Sequence, residues 1–515
     1  MKKFLLMIAV ALFTTATYAQ SWTSEISSIK DEEMGDYALA AMDKDGNLYV
    51  TGVQDKNFKF AGKEAQVLGI GSYIAKYNVN GVELFAITLQ GAVEITAITT
   101  DANNNLYVAG SYEDVAYITD VEGVDGDYKE IGSEEATGAF IAKYDANGNL
   151  LTVKTYQAEH NALIKEMNDY GLYWGSPAEV EISKMVAEGS RVYVQFDYIG
   201  DVAVDNITLN ANYKFVYDLA YMEASNVTVV SFDSTLANAV NEANVTVAEA
   251  CADASSVNSF NFTVEDEDVY VAVYGMGNLV LTTSAGSEAF NFQTTDDFSG
   301  NVEMGAIVAI AGKKAVKFSN ELYAGYGEKN LIAGIDVVNG KICLAGTFEG
   351  SCAFDYSKVA KGSVDLFATS IDANEFTADW VYTSADSENK TEETVSGVIF
   401  GKENICVVSL VETELDDENS VYDFRNYAIS YNGDVKRNSP IEATTVAYNE
   451  NNVAFVMATS TVKVAMYDAE IIASSIEAVN AEAENNVIYD LAGRRVEKIT
   501  EAGIYIVNGK KALVK

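Results

Sequence analysis

The chain has 515 residues, 49% apolar and 21% charged, with only 2 prolines; this excludes global disorder and Pro-rich or collagen-like segments, and leaves two or three ordinary domains or one large closed repeat array. Its 76 Asp and Glu against 34 Lys and Arg give a formal net charge of −42. That field repels phosphates and anionic lipid, so neither nucleic acid nor a membrane surface is an expected partner. Solubility is the ordinary consequence of such acidity, and divalent-cation binding or a basic partner is the sharper one.

The first element is a targeting segment, 1–19. Lys2 and Lys3 precede an apolar run from Phe4 to Phe13, and Thr17-Tyr18-Ala19 forms a cleavage site before Gln20. The apolar run is too short to span a bilayer, and no later segment has the ~18 continuous apolar residues of a transmembrane helix. A chain that leaves the cytoplasm is expected.

From 20 to 473 one unit recurs. Its first half reads Asp43-Lys44-Asp45-Gly46-Asn47-Leu48-Tyr49-Val50-Thr51-Gly52 and returns at Asp101–Gly110; weaker copies follow at Val192-Tyr193-Val194, Val269-Tyr270-Val271, Ile342-Cys343-Leu344, Ile405-Cys406-Val407 and Val453-Ala454-Phe455. Its second half reads Tyr73-Ile74-Ala75-Lys76-Tyr77-Asn78-Val79-Asn80-Gly81 and returns at Phe140–Gly148. In the irregular third unit this half is placed at Phe215–Tyr221. Alternating β-branched and aromatic runs bounded by Asn, Asp and Gly are strands joined by hairpins. Each unit reads as four antiparallel strands, and the spacing of about 50 to about 85 residues gives seven units. The expected fold is all-β, a seven-bladed β-propeller. The last unit lacks a fourth strand, and residues 21–27 are expected to supply it and close the ring.

The connections from second to third strand are long and variable, roughly 54–72, 111–139, 275–305 and 346–365. In an antiparallel blade they share one face with the inter-blade connections. Loops on a rigid scaffold carry recognition, so this face is the expected functional surface. The connection between Tyr156 and Glu181 stands out. It holds His160, the only histidine, then a short helical stretch, then Tyr170, Tyr173 and Trp174. These four are the candidate ligand-binding residues, for a glycan or a protein, although aromatics in such an insertion also simply pack on the scaffold.

After a polar linker at 474–486 the composition turns basic. Residues 487–515 read as two hairpins containing Tyr489-Asp490-Leu491, Gly493-Arg494 and Gly503-Ile504-Tyr505. This tail resembles the C-terminal sorting domain of proteins exported by the type IX (Por) system of Bacteroidetes. The resemblance implies that Tyr489, Asp490, Gly493, Arg494, Gly503 and Tyr505 carry the sorting signal, that the secretion machinery is a partner, and that the protein is released or surface-attached. The repeating units resemble the bacterial β-propeller repeat family (SBBP-like), through Asp-x-x-Gly-Asn-x-Tyr-Val-x-Gly followed by Ala-Lys-Tyr-x-x-x-Gly. That family implies a fold and no activity.

Catalytic signals are weak. One histidine leaves little basis for a nucleophile–histidine arrangement, and no Gly-x-Ser-x-Gly is present. No catalytic residue and no metal ligand is assigned, and no cofactor is expected. Ca²⁺ remains open at the acidic runs 265–268 and 412–418; the calcium-loop look of 43–46 is ordinary turn chemistry. Cys343 and Cys406 occupy the motif's Tyr position, a packing role, while a Cys343–Cys352 disulfide stays open. A monomeric binding protein is the first expectation, and an enzyme acting on polysaccharide through Asp and Glu the second.

Overall fold

The computed structural model describes residues 21–27, 38–216, 220–224, 226–247, 256–283, 286–291, 302–311, 318–324, 331–352, 354–360, 363–373, 377–384, 391–416, 419–438, 441–459, 461–469, 488–490, 495–496, 503–507 and 510–514. The targeting segment, Cys251, Gly493 and Arg494 lie outside them. The described chain is all-β apart from one short helix, Ala162–Asp169.

The repeat motif folds as its chemistry dictates. Asp43 Oδ1 accepts the amide hydrogens of Asp45 (3.0 Å) and Asn47 (2.9 Å), and Gly46 follows at φ +82. This is a turn closed by an Asx side chain and a left-handed residue. Asp101 and Asp145 build the same turn. The strands it joins, Ala40–Met42 and Leu48–Gln54, are extended by Gly71–Tyr77 and then by Glu83–Thr100. Leu48–Gln54 and Gly71–Tyr77 are buried along their whole length, as expected of strands covered on both faces.

Strand Glu83–Thr100 serves two sheets. Up to Gln90 it pairs with Gly71–Tyr77; a register shift at Gly91 (φ +91) then turns it into the first strand of the next sheet, with Leu106–Asp120, Thr137–Tyr144 and Leu150–Tyr156. A six-stranded antiparallel sheet begins at Glu179–Glu188, its fourth strand Val240–Val247 extended by the hairpin Asn278–Thr283/Gly286–Asn291, and four-stranded sheets begin at Ser256–Glu265, Leu331–Val338 and Thr391–Phe400. Thr445–Tyr448, Asn452–Ala458 and Thr461–Asp468 form a last sheet whose fourth strand is Trp22–Ser27, with Trp22 opposite Met466 and Ser27 opposite Thr461. The first strand of each sheet touches the first strand of the next, and Thr445–Tyr448 touches Ala40–Met42. The sheets therefore stand in a closed circuit, the β-propeller architecture.

Side chains of the motif tie neighbouring sheets together. Lys76 is buried against Asp43 (3.7 Å), lies over the Tyr49 ring, and donates to the Ala146 carbonyl of the following sheet (2.8 Å). Lys143 repeats this, over Tyr107 and onto the Ser234 carbonyl (2.5 Å). Burial lowers the Lys76 pKa, and Asp43 opposes that shift. Five inner strands share a bulge at one position, at Thr96, Ser183, Asn258, Ala333 and Ser396.

Two expectations need correction. The third strand of the third unit is Asn226–Asp233, paired with Arg191–Ile199; Phe215–Tyr221 lies instead in an excursion between them. The long second-to-third connections are not irregular: they contain the hairpins Phe58–Phe60/Lys63–Ala65, Asn278–Thr283/Gly286–Asn291 and Ser351–Cys352/Asp355–Val359. Cys343 and Cys406 are free and buried, and Cys352 is buried, so no disulfide joins Cys343 to Cys352. Burial pushes the thiols of Cys343 and Cys406 up to about 12. Iodoacetamide applied to the native protein at about pH 8 is expected to leave both unmodified, and in denaturant both should label. Tryptic mass mapping reads each site separately, and rapid native labelling would contradict the closed packing.

In the tail, Arg495–Val496, Ile488–Asp490, Gly503–Val507 and Lys510–Val514 form a sheet in that order that pairs with no strand of the ring. Asp490 stands opposite Tyr505, Tyr489 opposite Ile506, and Gly503 opposite Val514.

Candidate functional site

The insertion between Leu150–Tyr156 and Glu179–Glu188 is a folded ledge. Its entry, Ala158–Glu159, adds to the hairpin Asp201–Val204/Ile207–Leu209 of the third sheet's excursion. Helix Ala162–Asp169 starts at Asn161, whose side chain accepts the Ile164 amide (3.0 Å), and Ile164 is its buried anchor. The chain after the helix runs beside the second hairpin of the excursion, Tyr213–Val216/Ala220–Glu223: the Trp174 amide donates to the Tyr221 carbonyl, and the Tyr221 amide to that of Leu172, both at 2.8 Å.

The four candidate residues divide between two roles. His160 and Tyr173 point inward. Their rings lie 4.9 Å apart and edge-on, and Tyr213 lies 5.9 Å from His160 and 6.1 Å from Tyr173. His160 Nδ1 is 3.0 Å from the Tyr213 hydroxyl. The Tyr173 hydroxyl donates to the Ser176 carbonyl (2.9 Å) and approaches Glu223 Oε2 (3.4 Å), which also accepts the Ser176 amide (3.2 Å). Burial lowers the His160 pKa, so the ring is neutral at pH 7; burial pushes the Tyr213 hydroxyl up to about 12. These groups lock the ledge to the third sheet.

Tyr170 and Trp174 point outward, 66% and 49% exposed. The indole nitrogen of Trp174 donates to the Gly171 carbonyl (3.3 Å), which leaves the ring as an apolar outer surface. Leu163, Leu172 and Phe215 of the same ledge are exposed as well. Apolar side chains grouped on a rigid surface mark recognition sites.

A group of carboxylates borders the ledge where the inner strands of the second and third sheets meet. Glu94 and Glu179 are raised, first by burial and then by Glu181, with Glu223 adding to the shift at Glu179. Asp197 opposes Glu181 across the strand pair and is pushed up to about 6 by burial, against hydrogen bonds from Ser183 and Gln195. Among the described residues no three His, Cys, Asp or Glu side chains converge to hold a metal ion. Asp43, in the loop that looks calcium-like, spends its oxygens on Asp45, Asn47 and Lys76.

Sequence reasoning missed Tyr213, Ser176 and Glu223. They come from a segment with no repeat pattern, and only the strand pairing at 158–159 brings them to His160. The available signal was the length of the stretch between the second and third strands of that unit.

No family model matches the chain, and no curated protein matches it. Similar solved structures include the β-propeller domain of Cps50 (Swd1) from Myceliophteria thermophila, 8% identical over 86% of this chain and 99% of that one, with a TM-score of 0.36. Polysaccharide lyase Uly1 is 9% identical over 88% and 98%, with a TM-score of 0.43. BamB from Moraxella catarrhalis is 12% identical over 87% and 100%, with a TM-score of 0.32. No helix among the described residues is long and apolar enough to cross a membrane.

Proposed function

We propose that this is an exported, seven-bladed, monomeric binding propeller that recognises a glycan or protein ligand on the ledge formed by residues 157–178 and the excursion 200–225. The observation that carries the reading is the exposure of Tyr170 and Trp174 on a ledge whose inner residues are fixed by hydrogen bonds. A rigid platform that turns its aromatic rings to solvent has the chemistry of recognition. Residues 1–19 act as a signal peptide and 487–515 as a type IX sorting domain, a reading supported by the sequence resemblance of the tail. Neither nucleic acid nor lipid is a partner, as the net charge argues.

The rival reading is a polysaccharide-cleaving enzyme, favoured by Asp197 standing opposite Glu181 across the strand pair, since glycosidic cleavage needs two carboxyl groups at a suitable separation. A panel of immobilised oligosaccharides and peptides separates the two. Recognition predicts binding without turnover, weakened at least tenfold by Tyr170→Ala with Trp174→Ala. Release of reducing ends from a polysaccharide, abolished by Asp197→Asn, would overturn it.

A further inference from the structure

Resting on that reading, we infer that the ligand of the ledge is a cationic, amphipathic polypeptide segment: Lys or Arg residues flanking an aromatic or aliphatic anchor. Two features of the surface select this chemistry. The first is the mixture of apolar groups that the ledge exposes, two aliphatic leucines and a phenylalanine as well as Tyr170 and Trp174. Sugar rings stack on flat aromatic faces, whereas a peptide anchor also uses branched aliphatic surface, and Trp and Tyr at the centre of such a patch are typical anchoring residues.

The second feature is charge. Glu166 and Asp169 lie exposed on the helix, Glu179 and Glu181 lie exposed on the strand that follows the ledge, and Glu223 sits against Tyr173 and Ser176. The basic side chains of the ledge are Lys165, engaged by Glu159 at 2.9 Å, and Lys214, on the strand Tyr213–Val216; His160 is turned inward toward Tyr213. Glu181 and Glu223 are each close enough to repel Glu179. A cationic segment relieves that repulsion while its anchor covers the rings; an anionic glycan or peptide meets it unrelieved, and a neutral glycan leaves it in place. The remaining acidity of the molecule attracts cations everywhere, so the ledge is distinguished by the coupling of charge to its apolar centre.

The test uses the full mature chain and fluorescence anisotropy. The probes are a labelled 12-residue peptide alternating Arg or Lys with Leu or Phe, its twin with Glu and Asp in place of the cations, and a labelled neutral glucan oligosaccharide. The cationic probe is expected to bind and the acidic twin not. Tyr170→Ala with Trp174→Ala should weaken the cationic probe tenfold or more, Glu179→Lys with Glu181→Lys should do the same at low salt, and Tyr128→Ala, an exposed aromatic elsewhere, should change nothing. Affinity should fall as salt rises. Equal binding by the wild type and both ledge variants would show attraction to the body's charge alone and overturn the inference. Binding of the glucan without the cationic peptide, lost in the aromatic double variant, would overturn the peptide assignment and leave the recognition reading standing. Turnover of a polysaccharide with no binding at the ledge would overturn both.

Discussion

Deleting residues 21–27 is expected to open the ring and remove most of the folding stability of the protein. The strand bonds along Thr461–Asp468 and also reaches the first sheet. The Trp22 indole donates to the Val79 carbonyl (2.9 Å), its ring lies 5.3 Å from that of Tyr77, and Ser24 donates to the Tyr77 hydroxyl (3.0 Å). Without it, Val462, Val464 and Met466, all buried, sit on an open strand edge, a template for aggregation. The milder variant Trp22→Ala keeps the strand and loses the bridge to the first sheet, and should cost about 3 kcal/mol in urea unfolding. A change within about 0.5 kcal/mol, the range of an ordinary surface substitution, would show that closure rests elsewhere.

The same arrangement recurs where it is harder to see. Trp380, on the fourth strand of its sheet, donates to the Tyr431 carbonyl of the next (3.0 Å), and a Cβ on Gly433 would meet the Trp380 ring as one on Gly81 would meet Trp22 and one on Gly148 would meet Phe85. Each turn glycine thus does two things: it takes a positive φ and it leaves room for a ring from the preceding sheet. Only the first is readable from Asn-Gly and Asp-Gly in the sequence, because turn chemistry is local while the ring comes from another unit.

That difference explains what was legible. The all-β fold and the strands of the first two units follow from local patterns: alternation, Asx turns and the repeat itself. The third strand of the third unit did not, because Asn226–Asp233 keeps the burial of its counterparts but has lost their Ala-Lys-Tyr signature. The inner-strand bulges were missed although a signal existed: Ile95-Thr96-Ala97, Ile182-Ser183-Lys184, Val257-Asn258-Ser259, Ile332-Ala333-Gly334 and Val395-Ser396-Gly397 all place a β-branched residue before two that are mostly small or polar. A bulge re-aims the side chains that follow it, and Thr96 uses this to bond the Ile182 carbonyl of the next sheet (2.5 Å). At the ledge, composition flagged the aromatic residues. Which of them face solvent depends on pairing with residues about 50 positions away, which no local pattern encodes.

Glu393 carries the second large effect, and nothing in the sequence marks it among its acidic neighbours. Its side chain is fully buried. Oε1 accepts from Arg425 (3.1 Å) and from the Tyr427 hydroxyl (3.0 Å), and Oε2 accepts the Leu366 amide (3.2 Å) and the Ser384 hydroxyl. Leu366 and Ser384 belong to one sheet, Arg425 and Tyr427 to the next, so a single carboxylate holds donors from both. A buried charge with every oxygen engaged is strongly destabilising to remove from one side, because its partners remain desolvated. Glu393→Ala is expected to cost about 3–5 kcal/mol, on the scale of a broken buried ion pair. Glu393→Gln should fall between wild type and Ala: the amide keeps the volume and one acceptor but turns an N–H group toward donors that need an acceptor. Pairing each variant with Arg425→Met in a double-mutant cycle isolates the ion pair, and a coupling of at least about 1 kcal/mol is expected for groups in direct contact. Additive losses would mean that the ion pair, which lies within one sheet, adds nothing of its own, and that Glu393 acts through the bonds from Leu366 and Ser384 of the neighbouring sheet.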